Sequence, residues 1–331
     1  MAGLYAITGA AGYLGTRMAR YLLEADPENR VVGFDVRPAR VVDPRFEFHT
    51  LDVRDRRLGD LLAGRDVRSL LHFAFVLDPF YDEAEMHDID VRGTRNALEA
   101  ALVAGVPHVV ATSSTTAYGA LEDNPVPLTE SSPPRARPSF AYAHDKRLMD
   151  EMLGEFARAH PEVALCTIRP CIVLGPTVAN YIATTMLRQP VVSLLDGADP
   201  PFQFIHEDDL ARLVALCLER KVAGVFNAVG TGTLPASELA AMQGKRALRM
   251  PFRLAYGITW GVHRARLLPF ALPPGILDFF RFPWVASGDK ATRELGFTAE
   301  HSSRQCFEIV MSRKAQILAA FEQQIRERGK R

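Results

Sequence analysis

Two side chains four residues apart, Tyr142 and Lys146, open a helical pattern and so share one helix face. A cation beside a phenol stabilises the phenolate and can bring its pKa down by roughly one to three units from about 10. The spacing therefore predicts a tyrosine able to accept and return a proton near neutral pH. Tyr-x-x-x-Lys alone is common and mostly structural, so a second feature must support it. Ser113-Ser114-Thr115-Thr116-Ala117-Tyr118-Gly119 follows a predicted strand, at the carboxyl edge where ligands of open α/β sheets bind. The Ser114 hydroxyl there can hydrogen-bond the oxygen whose proton Tyr142 moves. Its plainer use is to cap a helix or hold a loop.

A phosphate cradle precedes this pair. Thr8-Gly9-Ala10-Ala11-Gly12-Tyr13-Leu14-Gly15 runs from an apolar strand into a helical pattern. Glycines let the backbone turn and approach a pyrophosphate, while the helix N-terminus offers free N–H donors and a positive dipole end. The G-x-x-G-x-x-G spacing is one residue wider than the usual dinucleotide fingerprint, and a ligand-free strand-helix turn is the plain alternative. Asp35, twenty residues after Gly15, ends the next predicted strand, where an acid accepts hydrogen bonds from ribose hydroxyls. A carboxylate there repels a 2′-phosphate, which favours NAD over NADP. Arg37 stands close enough to weaken that preference.

The elements that must hold these groups read as an α/β fold. Strands are predicted at Leu4–Thr8, Val31–Asp35, Phe46–Leu51, Ser69–Phe73, His108–Thr112 and Val163–Ile168. Helices are predicted at Tyr13–Glu24, Glu83–Ala104, Tyr142–His160 and His301 to about Arg326, the last ending in a fraying charged tail. This alternation implies a Rossmann-type doubly wound parallel sheet with helices on both faces. Beyond about Gly175 the pattern shortens, predicting a smaller C-terminal substrate lobe. Residues 1–174 and 204–229 would form the NAD-binding domain, and 175–203 with 230–331 the substrate lobe. In 331 residues, 39 Lys and Arg balance 39 Asp and Glu, which argues against a nucleic-acid partner. The four cysteines are scattered, without disulfide or metal-ligand spacing, so no metal and a reducing cytoplasmic setting are expected. Pro251 to Val285 is apolar and aromatic, but arginines and prolines, Pro269 among them, leave no run of about 18 apolar residues. A soluble chain without a membrane partner is expected, and the segment reads as a substrate-lobe wall or as packed core.

Over nearly its whole length the sequence resembles the extended short-chain dehydrogenase/reductases, the NAD-dependent epimerase/dehydratase family. The motifs are the Thr8–Gly15 turn, Asp52-Val53, His72-Phe73-Ala74, Asp90-Val91-Arg92-Gly93-Thr94 and Ser113–Gly119. They continue with Tyr142–Lys146, Arg169-Pro170, Gly175-Pro176, Phe204-Ile205-His206 with Asp208-Asp209, and Phe226-Asn227. The resemblance implies a nicotinamide cofactor cradled by Gly9, Gly12, Tyr13, Leu14 and Gly15. It implies Asp52 and Val53 near adenine, Phe73 and Ala74 along the cofactor, and Pro170 beside the nicotinamide. Lys146 would also hold the nicotinamide ribose, and Ser114, Tyr142 and Lys146 would be catalytic. His72 reads as a satisfied core histidine, and His206 with Asp208 as a helix cap. A homodimer through the helices Glu83–Ala104 and Tyr142–His160 is also implied.

Departures from the family pattern bear on substrate. Ile172 and Leu174 replace the asparagine and tyrosine usual in nucleotide-sugar members, and Pro200-Pro201-Phe202-Gln203 lacks their arginine. Thr115-Thr116 cannot supply the acid pair of sugar dehydratases, and Asp90 stands where asparagine is usual. A buried diphosphate needs cationic partners, and those left are Arg188, Arg253, Arg264, Arg266 and Arg281. The leading expectation is an NAD-dependent oxidoreductase or epimerase moving hydride at a secondary alcohol or ketone less polar than a nucleotide sugar. A nucleotide-sugar 4-epimerase and a non-catalytic NAD(P)-binding sensor are the alternatives.

Overall fold

Alternation along each strand decides how the layers form. The computed structural model describes residues 2–77, 81–268 and 271–328, so Pro269 and the last three residues of the charged tail lie outside the described residues. In the strands, Tyr5 and Ile7, Leu71, Val110, and Cys166 with Ile168 point to one face, against Met18 and Leu22 of helix Tyr13–Ala25 and Leu210 and Val214 of helix Glu207–Arg220. Their neighbours Ala6, Leu70, Val109 and Leu165 point to the other, against Leu58, Ala97, Ala101 and Leu153. A two-residue period thus buries both faces of one sheet.

That sheet has seven parallel strands in the order Gly224–Ala228, Ala164–Pro170, His108–Thr112, Val67–His72, Leu4–Thr8, Arg30–Asp35 and Phe46–Thr50. The chain winds outward in both directions from Leu4–Thr8, as a doubly wound sheet must. The switch point lies between Leu4–Thr8 and Val67–His72, and ligands of such sheets bind outside the carboxyl ends there. The seventh strand goes beyond the sequence reading, which saw Phe226-Asn227 only as a motif.

Two helices differ from expectation. The predicted Glu83–Ala104 is a helix with a wide turn inside it, Glu83–His87 and Gly93–Val103 flanking π-helical Asp88–Arg92. Gly93 sits so close to Val53 that a side chain there would collide with it. The C-terminal helix is two, Ser303–Ser312 and Lys314–Arg328, broken at Arg313. Ser302 and Gln305 form a capping box that fixes the start of the first.

Past Pro170, short strand pairs replace the long sheet: Ile172–Leu174 with Phe204–His206, Val191–Leu195 with Arg246–Met250, and Pro201–Phe202 with Leu234–Pro235. A separate hydrophobic cluster joins them, including Leu187, Phe202, Leu239, Phe279, Trp284 and Phe307. Among the described residues no helix is long and apolar enough to cross a membrane. The four cysteines are free and buried.

Candidate active site

A cavity of about 900 Å³ opens at the switch point. Its wall brings together Gly9, Gly12, Tyr13, Leu14, Gly15, Asp35, Asp52, Val53, Phe73, Ala74, Ser114, Tyr142, Lys146 and Pro170. The residues read from sequence as catalytic or cofactor-binding all face this one space.

The glycine turn fits a pyrophosphate. Gly9 has φ +72, and a Cβ on it would lie 2.6 Å from the Ala74 amide nitrogen. A Cβ on Gly15 would run into the Gly9 carbonyl oxygen. The two backbones are therefore in direct contact, as a cradle for a close-lying ligand needs. Helix Tyr13–Ala25 begins at Gly12 with no side-chain cap and no acid in its first turn. Its leading N–H groups and positive dipole end are left for an anion. Ser113, on the same wall, has a buried hydroxyl with no partner among the described residues, a polar atom suited to a bound ligand.

Asp35 is held from two sides. Its carboxylate accepts the Ala11 amide at 3.1 Å and the Arg37 amide at 2.9 Å. The Arg37 guanidinium closes on it with Nε and Nη2 each at 3.1 Å. The acid is 4% exposed and the arginine 41%, so the pair sits at the lip of the cavity. Asp52 is similarly bound by Arg54, at 3.0 and 2.7 Å, which lowers its pKa.

At the other end, Ser114 Oγ accepts from the Thr116 amide at 3.1 Å and from Thr116 Oγ1 at 2.9 Å. It sits at the N-terminus of a short 3-10 turn, Thr115–Tyr118. Its capping role and its place on the cavity wall coexist. Tyr142 lies on the first turn of helix Ala141–Ala159, packed edge-on to Phe75 with ring centroids 5.3 Å apart, and against Phe140 at 5.8 Å. Burial pushes its phenol up to about 12, Ser114 and Thr116 opposing this by hydrogen bonding and Asp90 reinforcing it. This corrects the expected lowering by Lys146. The Lys146 ammonium is directed elsewhere, donating to the Thr112 carbonyl at 2.9 Å and lying 3.6 Å from the centre of the Phe75 ring. Burial lowers the lysine itself to about 7, with Asp90, Asp150 and Asp145 pulling the other way.

Three neighbours escaped the sequence reading as site residues. Phe75 contacts both Tyr142 and Lys146; it follows the His72-Phe73-Ala74 motif directly and carried no signal of its own. Thr116 supplies two donors to Ser114 and was read only as a motif member. Asp90, noted as a departure, lies within the π-helical turn with no exposed surface. Its Oδ1 accepts from the Val76 amide at 2.8 Å, while Oδ2 has no partner among the described residues. Burial pushes this carboxyl well above the usual carboxylate range. A π-turn at a functional site is a recurrent way to aim one side chain inward.

His72 bonds Thr8 Oγ1 at 2.8 Å and Thr94 Oγ1 at 3.0 Å, and burial lowers it to about 3, so it is a neutral core histidine. His206 caps helix Glu207–Arg220 by accepting from the Asp208 amide. Arg169 makes a buried two-point pair with Asp150 at 2.8 and 2.6 Å and donates to Tyr118 Oη, which in turn bonds Asn227. These motif members build the frame around the cavity.

The remaining wall is mostly apolar, with Ile172, Met186, Val192, Ile276, Phe280 and Trp284, and carries Thr177, Asn180, Thr185, Gln189 and Ser193 between them. Ala255, Ile258 and Thr259 join it from helix Phe252–Arg264, so the 251–285 segment contributes wall as well as core. The cationic side chains on the described wall are Arg37, Arg40 and Lys146. The five arginines considered for a diphosphate do not line it. Arg188 pairs with Glu322 and Arg281 with Asp196. Among the described residues no cluster of three or more His, Cys, Asp or Glu could hold a metal ion.

Known proteins resemble this chain in sequence and in fold. The uncharacterized protein y4nG of Sinorhizobium fredii is 25% identical over 319 residues, 90% of this chain and 75% of its own. A UDP-glucose 4-epimerase of Streptomyces lividans is 34% identical over 170 residues, 48% of this chain and 49% of its own. The structure of MoeE5 in complex with UDP-glucuronic acid and NAD superposes with a TM-score of 0.74 at 21% identity, covering 96% of this chain and 100% of that one. Residues 5–229 match the NAD dependent epimerase/dehydratase family, and the chain belongs to that family of dinucleotide-dependent enzymes.

Proposed function

We propose that this enzyme moves hydride at a secondary alcohol or ketone of a substrate less polar than a nucleotide sugar, with Tyr142 as acid and base. The observation that carries the reading is the wall chemistry. Beyond Lys146, the substrate end is mostly aliphatic and aromatic, with uncharged polar side chains such as Asn180, Gln189 and Ser193 among them, and offers no arginine for a diphosphate. The cofactor, when bound, supplies the hydride acceptor or donor. NAD is the form we assign, on the buried Asp35 carboxylate.

The protein's own part is proton handling and orientation. The substrate oxygen would sit against Ser114 Oγ and the Tyr142 phenol. In oxidation the phenolate takes the hydroxyl proton as hydride leaves the carbon; in reduction the phenol gives that proton back. Thr116 fixes the serine rotor through two hydrogen bonds. Lys146 would hold the nicotinamide ribose. Whether the product leaves as a ketone or returns as an inverted alcohol depends on how freely it reorients while bound.

The lobe assignment follows the same logic. The hydrophobic cluster at Phe202, Leu239 and Trp284 supports taking 175–203 with 230–331 as the substrate lobe, and 1–174 with 204–229 as the cofactor domain. A homodimer through the helices at 83–104 and 142–160 is part of the proposal, checked by sizing chromatography at micromolar concentration. The free, buried cysteines fit a reducing cytoplasm.

The Streptomyces relative and MoeE5 favour a second reading, a nucleotide-sugar 4-epimerase. One experiment separates them. Thermal shifts with NAD present are recorded against a panel of uridine and thymidine diphosphate sugars and a panel of aliphatic and aromatic secondary alcohols. A shift and NAD reduction with alcohols alone supports the first reading. A shift confined to the sugars overturns it.

A further inference from the structure

The charge balance of the whole chain hides one strongly one-sided segment. From Leu239 to Leu277 there is no Asp or Glu, while Lys245, Arg246, Arg249, Arg253, Arg264 and Arg266 are all basic. The five arginines are exposed, and none pairs with a carboxylate among the described residues. Arg54, Arg65, Arg135 and Arg169 elsewhere all do. The same stretch exposes Leu248, Leu254, Tyr256, Ile258, Trp260 and Leu267, with Trp260 56% and Leu267 69% accessible.

Helix Phe252–Arg264 shows how these fit together. Its buried side is narrow, Ala255 and Thr259. At 100° per residue, Leu254 and Ile258 flank that side on one edge and Tyr256 with Trp260 on the other. Arg253 and Arg264 lie between Trp260 and the glycines Gly257 and Gly261. A helix apolar on so much of its circumference is ordinarily covered. Ile258 belongs both to the exposed surface and to the cavity wall, so the helix is a lip of the cavity.

We propose that residues 246–267 form a peripheral docking surface for an anionic phospholipid membrane, with helix Phe252–Arg264 lying in the headgroup plane. Exposed Trp, Tyr and Leu beside arginines that pair with no carboxylate, Arg266 resting on the Tyr81 ring, are what such a surface needs: apolar area for the acyl boundary and cations for phosphate headgroups. Complementary charge is the reason for choosing a membrane over a second copy of the chain, whose identical patch would meet arginine with arginine. The surface places the cavity lip at the bilayer boundary. The docking stands on these residues alone and is independent of the chemistry proposed for Tyr142.

The test is co-sedimentation of the full chain with vesicles of phosphatidylcholine alone or with one third phosphatidylglycerol. Binding is expected to the anionic vesicles, falling in 0.5 M salt (roughly a 4 Å Debye length). Quenching of tryptophan fluorescence by brominated acyl chains is expected with them, since Trp260 is exposed whereas Trp284 is buried. Arg253→Glu with Arg264→Glu should weaken binding about tenfold or more. Trp260→Glu should abolish the quenching, with far-UV circular dichroism confirming a folded chain. Absence of sedimentation with both vesicle types overturns the proposal. So does a wild-type dimer that Trp260→Glu converts to monomer, because the face is then covered by a second copy.

Discussion

The Arg37 guanidinium closes on the Asp35 carboxylate through two hydrogen bonds of 3.1 Å, so the residue that should repel a 2′-phosphate is already neutralised by its neighbour. Cofactor preference then depends on the pair and not on the acid alone. Arg37, 41% exposed, can swing away while Asp35 stays fixed by the Ala11 amide. Asp35→Ala should free the guanidinium for a phosphate and lower the KM for NADP on the order of tenfold while raising that for NAD. Arg37→Ala should do the reverse, leaving an uncompensated carboxylate. Steady-state KM values for both cofactors decide it, and improved NADP use by R37A would contradict the pairing argument.

Tyr142 is pushed up to about 12 by burial, so near neutral pH its phenolate is a minor species. In the oxidative direction the rate should climb close to tenfold per pH unit from neutrality upward, because each unit raises the phenolate fraction tenfold. In the reductive direction, which uses the protonated phenol, no such rise is expected. Tyr142→Phe should cost on the order of a hundred- to ten-thousandfold in kcat and leave cofactor affinity intact. Ser114→Ala should cost roughly a hundredfold. A flat oxidative pH–rate profile together with an active Y142F would remove tyrosine from the chemistry.

Lys146 gives a stability signature of its own. In an unfolded chain it stays charged up to about pH 10.4, whereas in the fold its pKa falls to about 7 through burial. Between these values the unfolded state binds one more proton than the folded state. Stability therefore rises with pH across that window and is insensitive to this group outside it. Lys146→Met should unfold at a higher urea midpoint than wild type near pH 6.5, where the charged ammonium is most costly to bury. It should also lack the alkaline rise. Equal pH dependence in the two proteins would show that the lysine is not dehydrated in the fold.

The sequence disclosed the sheet because each strand's alternating apolar residues face two buried layers, and periodicity reports that directly. Leu4–Thr8 and His108–Thr112 are strands over the predicted spans. It disclosed the cradle and the Tyr142–Lys146 pair because glycine spacing and helix spacing are local. It could not disclose Phe75, whose place against Lys146 depends on how the segment leaving strand Val67–His72 meets helix Ala141–Ala159. Nor could it foresee that burial, and not the neighbouring ammonium, dominates the Tyr142 phenol, since desolvation depends on layers assembled from distant segments. Gly224–Ala228 was missed for a related reason. Pairing along Ala164–Pro170 makes it a strand, and its own five residues include Gly224 at φ +119 and Asn227.

Asp90 and Lys146 share one buried environment, and the acid inside the π-turn, where it is ionised, attracts the lysine more strongly than Asp150 or Asp145 does. Asp90→Asn keeps an oxygen for the Val76 amide, which donates to Oδ1 at 2.8 Å, while removing that charge. The lysine loses its main electrostatic support, so its pKa in the folded protein should fall further. By the linkage argument, the window over which stability climbs with pH then starts at lower pH in D90N than in wild type. The same change leaves fewer molecules with a charged Lys146 at pH 7, so cofactor KM at that pH should increase and should recover as the pH is lowered. A wild-type-like onset, measured by urea midpoints from about pH 5 to pH 10, would mean that the aspartate is protonated throughout and acts on Lys146 only through packing.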